Sequence, residues 1–66
     1  EQVVLQVFNL QGQLVKTLHQ GYVAAGSYQS VWDGTDETGA SMANGVYLYS
    51  LQAGHFSQTK KMTLLK

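Results

Sequence analysis

Residues 3–18, VVLQVFNLQGQLVKTL, contain two apolar stretches on either side of a polar turn. From Val3 to Phe8 apolar side chains occupy both alternating sets of positions, which is typical of a strand in the middle of a sheet. Asn9 suits the first position of a type I turn, and Gly12 can adopt the positive φ of a bulged hairpin. The segment therefore predicts a β-hairpin whose second strand runs over residues 14–19.

The rest of the chain predicts three further strands, over residues 27–32, 46–51 and 56–65, and almost no helix. Residues 20–26 are expected to form a connection in which Tyr22 is the most exposed aromatic residue. The predicted turn residues are Gly12, Asp33, Gly34, Gly45 and Gly54, the last at the first central position of a type II′ turn. This spacing of strands and turns predicts one all-β domain over residues 1–66, an antiparallel β-sandwich of about five strands.

The predicted core is drawn from the apolar positions of these strands. Trp32 is the largest candidate, and Tyr47 occupies a position suited to a tyrosine corner, in which a tyrosine hydroxyl bonds to backbone a few residues upstream. The predicted core residues are Val7, Leu14, Tyr28, Trp32, Tyr47, Tyr49 and Leu51.

Composition excludes several classes of function. The chain has 66 residues, four lysines, no arginine and four acidic residues, so its formal net charge is zero. Nucleic-acid binding needs a surplus of basic residues, and a membrane span needs a long apolar run, and the sequence has neither. The lack of cysteine excludes disulfides and thiolate metal sites. A neutral chain with only 12% charged residues is prone to associate with other proteins.

The polar residues that could carry chemistry have simpler structural interpretations. His19 and His55 are expected at solvent-facing positions, without the neighbouring ligands that a zinc site needs. The acidic residues of the loop after Trp32 miss the ligand spacing of a calcium loop, and capping of local backbone amides by Asp33 and Asp36 explains them better. We therefore expect no catalytic residue, no cofactor and no metal site.

Three segments, in order along the chain, resemble the flagellar hook-cap-like immunoglobulin domains. They are residues 7–15 (VFNLQGQLV), 26–36 (GSYQSVWDGTD) and 38–49 (TGASMANGVYLY). The closing residues 59–66, TKKMTLLK, are similar to the end of the C-terminal sorting domains of type IX secretion systems. The resemblance extends over nearly the whole chain.

The resemblance implies an immunoglobulin or fibronectin-III-like fold and a non-catalytic role. It implies a module at the C-terminus of an exported bacterial protein, which the outer-membrane secretion machinery recognises and routes to the cell surface or the medium. The residues that match the sorting segment are Lys60, Lys61, Met62, Leu64, Leu65 and Lys66.

The sequence departs from the resembled family in one respect, which suggests an alternative function. Family members carry another strand before the first hairpin, so we expect a sandwich that lacks the usual first strand and has an open sheet edge. A neighbouring chain or domain could add a strand there, as in a self-assembling structural subunit or homo-oligomer. A spacer or a carbohydrate-binding accessory module is a lesser alternative, since the aromatic residues suited to a sugar platform are assigned to the core.

Overall fold

The computed structural model describes residues 2–22 and 32–66. Within them the chain forms four strands, β1 (Gln2–Phe8), β2 (Leu14–Tyr22), β3 (Gly45–Ala53) and β4 (Phe56–Leu64). The strands make one open antiparallel sheet in the order β2-β1-β3-β4. The predicted all-β antiparallel fold is confirmed, and the sheet is consistent with part of a small immunoglobulin-like sandwich. No helix that could cross a membrane occurs among these residues.

The apolar strand β1 lies in the middle of the sheet, as its sequence predicts. It pairs with β2 along one edge and with β3 along the other, so Val7 faces Lys16 on one side and Tyr49 on the other. Its backbone is therefore hydrogen-bonded on both edges, and its side chains meet neighbours on both faces. This position explains why the strand has no charged residue and five apolar residues out of seven.

The turn between β1 and β2 has the predicted bulged geometry. The Gly12 N–H donates to the Asn9 carbonyl at 3.0 Å, and Gly12 has a φ of 84°. The Asn9 side-chain oxygen accepts hydrogen bonds from the N–H groups of Gln11 at 3.0 Å and Gln13 at 2.9 Å. These contacts are all local in sequence, which is why the turn could be predicted from four residues.

The pairing of β2 with β1 corrects one core prediction. Its register shifts twice, between Leu5 and Gln6 and between Val7 and Phe8. Each shift places an extra residue on β2, which breaks strict alternation of its side chains. Val15 is consequently buried and Leu18 packs against the core. Leu14, predicted in the core, pairs with Phe8 and is 50% exposed.

The hairpin of β3 and β4 is regular. Its nine residue pairs, from Gly45 with Leu64 to Ala53 with Phe56, show no register shift. Gly54 has a φ of 59°. Since no non-glycine residue in the described part has a positive φ, the turn fits the predicted type II′ geometry.

Several strand boundaries differ from those predicted. β2 continues as far as Tyr22, so this residue ends a strand instead of lying in a connection, although it is 71% exposed as expected. Gly45, predicted in a turn, is the first residue of β3, and β4 ends at Leu64. Trp32 lies outside a strand, and the other residues of the predicted strand 27–32 fall outside the described residues.

The core lies between one face of the sheet and residues of the loop that precedes β3. Val7, Val15 and Tyr47 are its buried centre, and Leu18, Trp32, Met42, Met62 and Leu64 pack against it. The Trp32 and Tyr47 rings meet edge to face, with centroids 5.1 Å apart.

Tyr49 and Leu51, also predicted in the core, are half-buried. Each lies directly opposite an apolar residue of β1, Tyr49 opposite Val7 and Leu51 opposite Leu5. Both therefore belong to the core face of the sheet, on either side of its centre. Tyr28 falls outside the described residues.

Candidate interaction site on the fourth strand

β4 is an edge strand of the sheet and is mostly exposed. It pairs with β3 along one side, and no other strand within the described residues pairs with it. All residues from Phe56 to Lys61 are exposed, whereas Met62 and Leu64 are partly buried. The first six of its nine residues therefore have exposed side chains, and one side of their backbone is not covered by any described strand.

Two neighbouring lysines give this edge its charge. Lys60 lies opposite Tyr49 and Lys61 lies opposite Leu48, so successive pleats place the two ammonium groups on opposite faces of the sheet. β4 contains no acidic residue. A molecule that approaches the edge meets positive charge on both faces.

The residues predicted as a sorting segment fall into two structural groups. Lys60, Lys61 and Leu65 are exposed, Leu65 to 80%. Met62 and Leu64 instead pack against the core. A Cβ added to Gly34, which has a φ of 81°, would lie 3.1 Å from a Leu64 methyl, so Leu64 sits tightly against this loop.

Lys66 is tied to the loop that precedes β3. Its backbone N–H donates to the Asn44 side-chain oxygen at 3.1 Å. Its ammonium group bonds to the Ser41 hydroxyl and the Met42 carbonyl. The end of β4 is thus attached to the body of the domain, while the lysine pair before it faces solvent.

The start of β3 carries the predicted tyrosine corner. The Tyr47 hydroxyl donates to the Ala43 carbonyl at 2.7 Å. The ring itself is buried against Trp32, so one residue connects the core to the backbone of the preceding loop. The hydrogen bond from Tyr47 to Ala43 confirms the predicted tyrosine corner. Ala43 belongs to the same loop whose neighbouring residues Met42 and Asn44 bind Lys66.

The acidic loop is organised by its own side chains, as turn chemistry predicts. The Asp33 carboxylate accepts from the Thr35 hydroxyl at 2.6 Å and from the Thr35 N–H at 3.1 Å. The pKa of Asp33 is lowered, mainly by the hydroxyl bond, then by the backbone bond, with a smaller effect from Lys16, whose ammonium lies 3.6 Å away. Its carboxylate is therefore engaged in local capping.

Asp36 repeats this arrangement three residues later. Its carboxylate accepts from the Thr38 hydroxyl at 2.7 Å, the Thr38 N–H at 2.9 Å and the Ala40 N–H at 3.0 Å. The Thr38 hydroxyl bond is the main cause of the lowered pKa of Asp36, followed by the backbone bonds. Both aspartates thus direct an oxygen into their own loop.

Contacts distant in sequence attach this loop to the first hairpin, and sequence reasoning missed them. The Glu37 N–H donates to the Val15 carbonyl at 3.2 Å, and the Glu37 carboxylate accepts from the Thr17 N–H at 2.5 Å. An open cleft of about 430 Å³ lies beside these contacts, between Asn9 and Met42. No local pattern signals such contacts, because they join residues about 20 positions apart.

The two histidines are not brought together. His19 is half-buried on β2, opposite Leu5, and His55 is exposed in the turn between β3 and β4. Within residues 2–22 and 32–66, no group of three or more potential ligands is close enough to hold a metal ion.

The sequence model of the FlgD Ig-like domain matches residues 1–56. The chain belongs to this family. The FlgD Ig-like match includes β1, β2, β3 and the loop before β3, and it ends at Phe56, the first residue of β4. Comparisons with curated proteins and with solved structures give no significant match. The FlgD Ig-like domain is a structural, non-enzymatic family, which favours a non-catalytic role here.

Proposed function

We propose that this FlgD Ig-like domain is a non-catalytic sorting module of an exported bacterial protein. In this proposal the type IX secretion machinery recognises residues 60–66 and routes the attached protein to the cell surface or the medium. The observation that carries the proposal is the exposure of Lys60 and Lys61 on the edge strand β4 and of Leu65 immediately after its end. Residues 57–66 follow the part matched by the family, and their sequence resembles a sorting segment.

The structure suggests that the segment has two separable roles. Lys60, Lys61 and Leu65 would contact the machinery, because their side chains are exposed in the folded domain. Met62 and Leu64 would act indirectly, because they pack against the core and hold the strand in place. Recognition would then require the folded sheet as well as the sequence of the segment.

An export assay of the full-length protein in a bacterium with a type IX system tests this proposal. Replacing Lys60, Lys61 and Leu65 by alanine should leave the domain folded and reduce export several-fold. The matched control replaces Ser57, Gln58 and Thr59, which are exposed on the same strand, and should be exported normally. Normal export of the first variant would refute the sorting role.

A second candidate is a structural subunit, in a flagellar hook assembly or another extracellular fibre. The family assignment favours this candidate, and the exposed edge of β4 offers a surface for assembly. Light scattering across a range of concentrations separates the two functions. Ordered oligomers that grow with concentration would favour the structural subunit, and a monomer at all concentrations would exclude assembly of this chain with itself.

A further inference from the structure

The two edges of the sheet differ in their capacity to accept another strand. β2 is interrupted by two register shifts, which twist a strand and disturb the spacing of its outward groups. β4 keeps one register over nine pairs and contains no proline. Of the two, β4 is the edge with the regular spacing that strand addition requires.

The turn before β4 determines which backbone groups face outward. In a type II′ turn the Phe56 N–H points to the Ala53 carbonyl, toward β3. Because backbone groups alternate along an antiparallel strand, those of Ser57, Thr59 and Lys61 point away from β3. These three residues provide a row of donors and acceptors on the edge that no other described strand covers.

The charge of the β4 side chains determines which added strand can pair with these backbone groups. Lys60 and Lys61 project on opposite faces, so an added strand must place one residue against each of them. Acidic residues at two successive positions satisfy both lysines, whereas basic residues would be repelled. Four positions before Lys60, on the same face, Phe56 is 54% exposed and offers an apolar contact.

We propose that the outer edge of β4 binds an extended acidic peptide strand from a partner protein. The added strand runs antiparallel to β4, with two successive acidic residues opposite Lys61 and Lys60. Four residues after the second acidic residue, an apolar side chain lies against Phe56. Backbone hydrogen bonds supply the general attraction, and the acidic pair supplies the selectivity.

A second copy of this chain is a poorer occupant. Two β4 strands paired antiparallel about Lys60 would bring the lysine pairs of both copies together, and β4 has no acidic residue to offset them. The four acidic residues of the chain are Glu1, Asp33, Asp36 and Glu37, all outside β4. Self-pairing in this register is thus disfavoured by charge, whereas an acidic strand is favoured.

Fluorescence anisotropy with a labelled peptide, TEETVTLT, tests the proposal on the 66-residue chain. In the proposed register its two glutamates face the lysine pair and its leucine faces Phe56. Binding should be about ten-fold tighter than that of TKKTVTLT, and added salt should weaken it. Equal binding of the two peptides would overturn the proposal.

Two variants separate the backbone and charge contributions. Thr59→Pro removes an outward N–H without removing a hydrogen bond to β3, so it should abolish binding, while Thr59→Val should retain it. The double variant K60E/K61E should reverse the preference and bind TKKTVTLT more tightly. Tryptophan fluorescence confirms that each variant is folded.

The same experiment distinguishes the proposed partner from other occupants. Unchanged preference in the K60E/K61E variant would overturn the proposal even if Thr59→Pro fails to fold. Concentration-dependent association of the chain without peptide binding would overturn it in favour of a second copy. Because the measurement uses purified components, its result is independent of the sorting function.

Discussion

The two hairpins of this domain use the same antiparallel pairing for different purposes. In the β1–β2 hairpin, two register shifts bring Val15 and Leu18 to the core face together. In the β3–β4 hairpin, the regular register leaves residues 56–61 exposed, and only the end of β4 contacts the core. The register shifts of the first hairpin thus add apolar residues of β2 to the core, whereas the regular register of the second leaves most of β4 as a solvent-facing edge.

The largest expected effect tests the irregular hairpin. Val15→Ala should lower the free energy of unfolding by about 2 kcal/mol, because it leaves a cavity at a buried position. Leu14→Ala, one residue earlier, should cost less than about 0.5 kcal/mol, because Leu14 is half exposed. Urea denaturation of both variants measures the difference. A larger loss for Leu14→Ala would show that the register shifts are misplaced.

The next prediction tests the hydrogen bond that joins β3 to the loop before it. Tyr47→Phe removes the hydrogen bond to the Ala43 carbonyl while it keeps the ring against Trp32. It should destabilise the domain by about 1–2 kcal/mol in urea denaturation. Tyr22→Phe is the matched control at an exposed site and should have almost no effect. Equal stability of the two variants would contradict a stabilising role of the tyrosine corner.

The acidic loop beside the first hairpin should give stability that depends on pH. The folded-state pKa values of Asp33 and Asp36 are lowered, so their contribution is fully present above the unfolded-state pKa, near 4. It is lost as the pH falls through the lower folded-state values. Thermal melting from pH 6 to pH 2.5 should show this loss, and a D33N/D36N variant should show a shallower one. An unchanged slope would contradict the capping role.

The smallest expected effect tests whether the exposed part of β4 contributes little to stability. Thr59→Ala and Lys60→Ala should each change the free energy of unfolding by less than about 0.5 kcal/mol, since both side chains are exposed on an edge strand. Met62, two residues further along, packs against the core, so Met62→Ala should lower the free energy of unfolding by clearly more. Differential scanning calorimetry of the three variants provides the comparison. A uniform loss along β4 would show that the whole strand is structural.

Turns and strand locations were predictable because their causes are local. Asn9 and Gly12 determine the first turn, Gly54 the last, and Asp33 and Asp36 organise their loop through hydrogen bonds to residues two to four positions away. The apolar content of residues 3–8 also predicted a central strand. These features need only the alternation of side chains and the φ preferences of particular residues.

The candidate site was only partly predictable. The likeness of residues 59–66 to a sorting segment drew attention to Lys60 and Lys61, but a linear segment gives its residues no separate roles. Pairing with β3 separates the exposed lysines from the packed Met62 and Leu64. The attachment of Lys66 to Ser41 and Met42 joins residues about 25 positions apart, for which no local pattern exists.

The sequence by itself determined that this chain is an all-β, antiparallel domain with a central apolar strand, because hydrophobic alternation and turn chemistry act over a few residues. Only the tertiary structure decided which of Leu14 and Val15 is buried. A register shift depends on how two strands meet, and one displaced pair moves every later side chain to the other face. The tertiary structure likewise decided that β4 lies at an edge with its lysines exposed, because sheet order follows from pairing between distant segments.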